Sequence, residues 1–164
     1  MNLFVCVARL ISWVGLTAVG VVHAVWASGS SWPMKNRHDL AEAVVGSRDF
    51  PDSKATGAVA ATALVGGVVV GGAFGEGSLP VALRRGAGVL LIARAAFGGE
   101  TALALLGLPK AGKRFVELDN RWYRPFCAML GVALLVASRH RSKEAVAPTS
   151  VATPADTTES GSRA

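Results

Sequence analysis

Five polar side chains stand out against an apolar background: His23, Arg94, Glu100, Asp119 and Tyr123, with Trp26 and Trp32 close to the first of them. An imidazole titrates near neutral pH and can take or give a proton. A guanidinium set among apolar residues holds carboxylates, phosphates or carbonyls through paired N–H donors. A basic group under a rim of carboxylates, aromatics and one imidazole has the chemistry of an intramembrane ligand site. The same set also suits a sealed end of a helix bundle, in which Arg94 pairs with Asp119 or Glu117 and nothing reacts. Residue types alone do not separate the two.

Other chemistries find little support. There is no nucleophile elbow, phosphate loop or metalloprotease pattern. Gly66-Gly67 and Gly71-Gly72 lack the Lys-Ser or Lys-Thr that follows a nucleotide loop. A metal site from His23, His38 and Asp39 has no dense ligand spacing behind it, so no metal and no cofactor are expected. Cys6 and Cys127 both fall in apolar stretches and read as small buried hydrophobes.

The elements that position these groups are membrane helices. The 164 residues are 51% hydrophobic and only 17% charged, with 19 glycines. Soluble domains carry about 25% charged residues. A net charge of +6 would suggest nucleic acid in a soluble protein, but here the basic residues flank apolar spans, where anionic headgroups account for them. No nucleic-acid partner is expected.

Residues 3–28 form the first span, long enough to cross ~30 Å of hydrocarbon as a helix. A signal peptide is the competing reading; no Lys or Arg precedes the run, Arg9 interrupts it and Trp26 occupies the cleavage site. Arg9, Leu16 and His23 recur every seven residues, so this face should look into a bundle, with Arg9 reaching the headgroups at its own end. Residues 28–54 are a charged loop with a short helix around 39–45. The second span, 55–75, carries Ala63, Gly67, Gly71 and Gly75 every four residues, a smooth face for close helix packing, more simply within the chain than between copies.

A tight connection at 76–80 leads to the third span, 83–106. Arg84 and Arg85 mark its start, Arg94 lies inside it, and Gly98-Gly99 before Glu100 is a place to break or bend it. Residues 109–124 read as a second charged loop and 122–138 as a short fourth span with Trp122 and Tyr123 at one interface. The membrane domain therefore covers 1–141, an all-α bundle of four transmembrane helices. Residues 142–164 read as a disordered tail.

Four alternating spans put both charged loops on one side of the membrane. His23, Trp26, Trp32, Glu100, Asp119 and Tyr123 then gather on that side, with Arg94 beneath them. His23 and His140 end on opposite sides and cannot share a haem iron. The loops carry nine basic residues (Lys35, Arg37, Arg48, Lys54, Lys110, Lys113, Arg114, Arg121, Arg124) against five on the other side (Arg84, Arg85, Arg139, Arg141, Lys143). The positive-inside rule then favours cytoplasmic loops.

The combination His23-x-x-Trp26-Ala27-x-Gly29-x-x-Trp32, Arg94-Ala95-Ala96, Phe115-Val116-x-Leu118-Asp119 and Tyr123-x-Pro125-x-Cys127 resembles a family of small bacterial four-helix membrane proteins, the domain of unknown function 3995 type. The likeness covers roughly 15–135. It implies a four-span fold in a bacterial inner membrane and no established activity. It also singles out His23, Trp26, Gly29, Trp32, Arg94, Asp119, Tyr123, Pro125 and Cys127.

The expectation is a non-enzymatic accessory or structural membrane protein, whose partners are the lipid bilayer and either a second copy or another membrane protein. The rival is a lipid- or quinone-type ligand site, with Arg94 on an anionic group and His23 exchanging protons. A small transporter would need an oligomer to enclose a path, and no inverted repeat is visible.

Overall fold

The computed structural model describes residues 3–105, 107 and 110–139. The expected tail, 142–164, lies outside the described residues. Within them the secondary structure is helical throughout: α1 (Leu3–Ala27), α2 (Arg37–Val44), α3 (Ser53–Gly71), α4 (Ser78–Leu105), α5 (Lys113–Leu118), a π turn (Asp119–Tyr123) and α6 (Arg124–Ala137).

Three of these helices are long and apolar enough to cross a membrane: α1, α3 and α4, of 25, 19 and 28 residues. Their outward faces are apolar as well. Leu3, Phe4, Leu10 and Val14 on α1, Val65 on α3, and Leu83, Val89 and Leu90 on α4 are all exposed. A soluble monomer rarely shows apolar surface on this scale.

The fourth expected span is different. The sequence suggests a loop over 109–124 and a helix over 122–138. Instead the chain is helical from Lys113, and α5, the π turn and α6 follow one another without a gap. Backbone angles at Leu118, Asp119, Tyr123 and Arg124 are all right-handed helical. The result is one rod of about 36 Å at ~1.5 Å per residue, with a charged first third and an apolar remainder. Charges at 113, 114, 117, 119, 121 and 124 give it the composition of a loop, and Pro125 looks like a helix start.

Helix ends follow local chemistry. Asn36 caps α2 by accepting from Asp39 N–H, and Asp52 caps α3 by accepting from Ala55 N–H. Gly72, at φ 93°, closes α3 in the left-handed conformation that L side chains rarely adopt. The second span therefore stops at Gly71. Gly75 falls in the turn beyond it, at φ 69°, and leaves the expected small-residue row.

α1 and α6 are the central pair. α1 packs along α3 on one side and α6 on the other, while α4 packs along α6 and touches α3 little. Close approach explains the glycines. A Cβ on Gly67 would lie 3.1 Å from Thr17 Oγ1, and one on Gly71 would lie 3.4 Å from the Trp13 ring, so the shortened row faces α1 of the same chain. Ala63, on the same row, is buried. α4 and α6 cross backbone to backbone, where a Cβ on Gly131 would lie 2.9 Å from Gly88 O. α1 meets α6 through Ala8 against Ala133 and Ala137.

Candidate functional site

Two features of the backbone build the site. The first is the π turn. Pro125 has no N–H and its ring crowds the carbonyl four residues back, which an α-helix does not tolerate in its interior. The helix widens just ahead of it, and Arg124 N–H donates to Asp119 O, five residues back. The second is a break in α4 at Gly98, whose φ of 78° and ψ of 171° belong to glycine alone.

A break inside a helix orphans backbone groups. In an unbroken α4 the N–H groups of Gly99 and Glu100 would donate to Ala95 O and Ala96 O. Here Gly99 N–H donates to Asp119 Oδ2 at 2.7 Å. Arg124 Nε donates to Ala95 O at 2.7 Å, and its Nη2 to Ala96 O at 2.9 Å. Arg124 is itself steadied by Asn120 Oδ1 at 2.8 Å. Asp119, 5% exposed, also accepts from Arg94 Nη2 at 2.6 Å.

The cluster thus mends the gap in α4 from the facing helix. Each charge sits where the helix dipole favours it, an anion at the new N-terminus and a cation at the new C-terminus. Arg94 then neutralises the anion. Its Nη1 is buried without a partner among the described residues.

α2 closes this end from above. Leu40, Ala41 and Ala43 are fully buried. Tyr123 Oη donates to Ala43 O at 3.2 Å, and Gly112 N–H donates to Gly46 O at 3.0 Å. Phe115, also buried, packs between Gly99, Gly46 and the Tyr123 ring, its centroid 6.3 Å from the latter.

His23 and Trp26 belong to a separate group. His23 Nδ1 donates to Val19 O at 2.8 Å, the carbonyl being only an acceptor, which leaves Nε2 with the lone pair in the neutral ring. The His23 ring lies 4.9 Å from that of Trp26. Trp26 Nε1 donates to Trp32 O at 2.7 Å, and Arg37 Nη1 donates to Trp26 O at 3.0 Å while its guanidinium stacks on Phe50. This arrangement ties down the C-terminus of α1.

Of the sequence-derived residues, Arg94, Asp119 and Tyr123 come together. Trp32 contributes its carbonyl, and the residue is 65% exposed. Glu100 is exposed, in the first turn of the second half of α4. Among the described residues no hydrogen bond or ion pair joins His23 to the Arg94 group, and no three metal-ligating side chains gather.

Sequence reasoning missed Arg124 and Arg37, which look like loop charges. It also missed a second cluster at the opposite end. There Glu76 takes Arg9 Nη2 at 2.8 Å and Arg84 Nη1 at 2.9 Å. Arg84 was expected at the interface and is buried instead. The only signal available was the lone acid in the short connection, with basic residues on the two spans ending beside it.

These features define a class: a helical protein with three membrane-capable helices, one of them broken and mended by charged side chains. The family model for Protein of unknown function (DUF3995) matches residues 16–134, and the chain belongs to that family. No curated protein and no solved structure matches it.

Proposed function

We propose that the chain is a four-crossing, non-enzymatic accessory or structural protein of the cell membrane, with the Lys113–Ala137 rod as its fourth crossing. The observation that carries this reading is the use of Arg94, Asp119 and Arg124. All three are engaged with one another or with the α4 backbone, so the charges that would otherwise mark a reaction centre latch the bundle end. α2 supports the same end, with Leu40, Ala41 and Ala43 buried and Ala43 O accepting from Tyr123 Oη. Its partners are the bilayer and a second copy or another membrane protein, met through the apolar outer faces rather than the glycine row, which α1 already covers.

A second reading, a lipid- or quinone-type ligand, is favoured by one observation, the unpartnered Nη1 of Arg94. Native mass spectrometry on protein extracted gently from its membrane separates the two. The accessory reading expects the chain bare of any small molecule that depends on Arg94, alone or with a stoichiometric protein partner. A discrete small molecule lost in Arg94→Ala overturns it. Topology reporters on the two termini test the crossings: four place both on one side, three place them on opposite sides.

A further inference from the structure

The opposite end of the bundle holds an excess of positive charge that the protein does not satisfy. Two guanidiniums converge on one carboxylate, with Arg84 also reaching Glu76 Oε1 at 3.3 Å and donating to Val69 O at 2.8 Å near the end of α3. Arg84 is fully desolvated, at 0% side-chain exposure, whereas Arg9 keeps 23%. Burial pushes the Glu76 carboxyl up, but the Arg84 hydrogen bond and charge and then Arg9 outweigh it and hold it below its ordinary value, so it is ionised. The triad still carries one net positive charge. The Nε atoms of Arg9 and Arg84 are both buried without a partner among the described residues.

The surroundings add charge and grease together. Arg85 and Arg139 are exposed. The contacts of Ala8 with Ala137, and of Gly88 with Leu135, set α1 and α4 antiparallel to α6 and place Arg9, Arg84 and the last turn of α6 at one level. Leu3, Phe4, Leu79 and Leu83, all more than half exposed, flank the same level with apolar surface. A cationic cluster at the rim of an apolar belt is complementary to an amphiphile with an anionic head.

We propose that the Arg9–Glu76–Arg84 end binds the phosphate headgroup of an anionic phospholipid, with Arg9 as the contacting residue and Arg84 holding Glu76 in place behind it. The site rests on the membrane reading above. Glu76 competes with the lipid for Arg9, so the two substitutions act in opposite directions. Arg9→Gln weakens binding and Glu76→Gln strengthens it, which a merely structural triad would not do.

The full-length protein is placed in nanodiscs of phosphatidylcholine with and without phosphatidylglycerol. Retained lipid is read by native mass spectrometry. The wild type should keep phosphatidylglycerol preferentially, Arg9→Gln should lower that preference by roughly tenfold, about one charge-assisted contact, and Glu76→Gln should raise it. Equal retention of both lipids, or loss in both variants alike, overturns the site. Thermal stabilisation by inorganic phosphate in pure phosphatidylcholine discs equal to that by phosphatidylglycerol overturns its assignment to a lipid. Failure of the wild type to enter nanodiscs at all overturns the membrane reading itself.

Discussion

Removing the Asp119 carboxylate should cost more than removing any other single group at the loop-side end. Asp119→Ala takes the acceptor from two donors at once, the buried Gly99 N–H and Arg94 Nη2. An orphaned buried N–H costs about 1–3 kcal/mol. Stranding one partner of a fully buried ion pair costs about 3–5 kcal/mol. Arg94 retains 26% of its side-chain exposure and can turn toward that opening, which reduces its part to about 1–2 kcal/mol. The total is about 2–5 kcal/mol. Asp119→Asn keeps an oxygen for Gly99 and loses only the charge, at about 1–2 kcal/mol. Arg94→Met in that background removes the stranded cation, so the double variant should be less destabilised than the sum of the singles by about 1 kcal/mol or more. Reversible unfolding in mixed micelles, followed by tryptophan fluorescence as dodecyl sulfate is raised, gives each value. Strict additivity, or an Asp119→Ala cost below about 0.5 kcal/mol, refutes the latch.

Three further outcomes follow from the same packing and charge. Gly131→Ala places a Cβ 2.9 Å from Gly88 O and 2.9 Å from Ile92 Cγ1, and should destabilise by about 1–3 kcal/mol because backbone cannot step aside; Gly86→Ala, which meets nothing within 4 Å, should be neutral or stabilising by up to ~1 kcal/mol. Gly98→Ala forces a side chain into the φ 78°, ψ 171° conformation at about 1–3 kcal/mol, measured in the same titration. Glu76 has a folded pKa below its ordinary 4.5, so its contribution is complete above that value and is lost as pH falls through the lower folded one; a melting profile against pH should fall on that acid limb, and Glu76→Gln should flatten it.

How much of this was legible in the chain depends on which groups carry their own signal. Gly98-Gly99 announces a break because each glycine disfavours a helix interior by about 1 kcal/mol relative to alanine and tolerates positive φ, and Arg94 announces a partner because an unpaired guanidinium among apolar residues is costly. α2 was legible to within two residues, expected around 39–45 and found at Arg37–Val44. The Lys113–Tyr123 stretch was not, since its charges sit on an exposed or inward helical face and mimic a loop. Arg84 and Arg124 were misjudged for one reason. A basic residue at a span end serves equally as a headgroup anchor or as a donor to a neighbouring helix, and the choice lies with carbonyls such as Val69 O and Ala95 O that a different helix supplies. Glu100 was expected on the loop-side rim and is exposed, with a sequence position that says nothing of what it faces.

Arg84 and Arg124 point to a common logic at both ends of the bundle. Inside a bilayer every backbone group needs a partner within the protein, so a helix that breaks or stops there is tolerated only where another element completes it. Arg124 does this for the first half of α4, donating to Ala95 O and Ala96 O, and Arg84 does it for α3, donating to Val69 O. Each cation brings a carboxylate into the same network or beside it, Asp119 in one case and Glu76 in the other, and each carboxylate recruits a second arginine, Arg94 or Arg9. The ionisable residues that look like functional anomalies in an apolar sequence are, on this account, what lets the backbone be irregular. The charge left over differs between the ends. At the loop-side end Ala95 O and Ala96 O, at the C-terminus of the first half of α4, take the Arg124 donors. At the other end Arg9 keeps 23% of its side-chain exposure, and on the proposal above that surplus is what an anionic headgroup would meet.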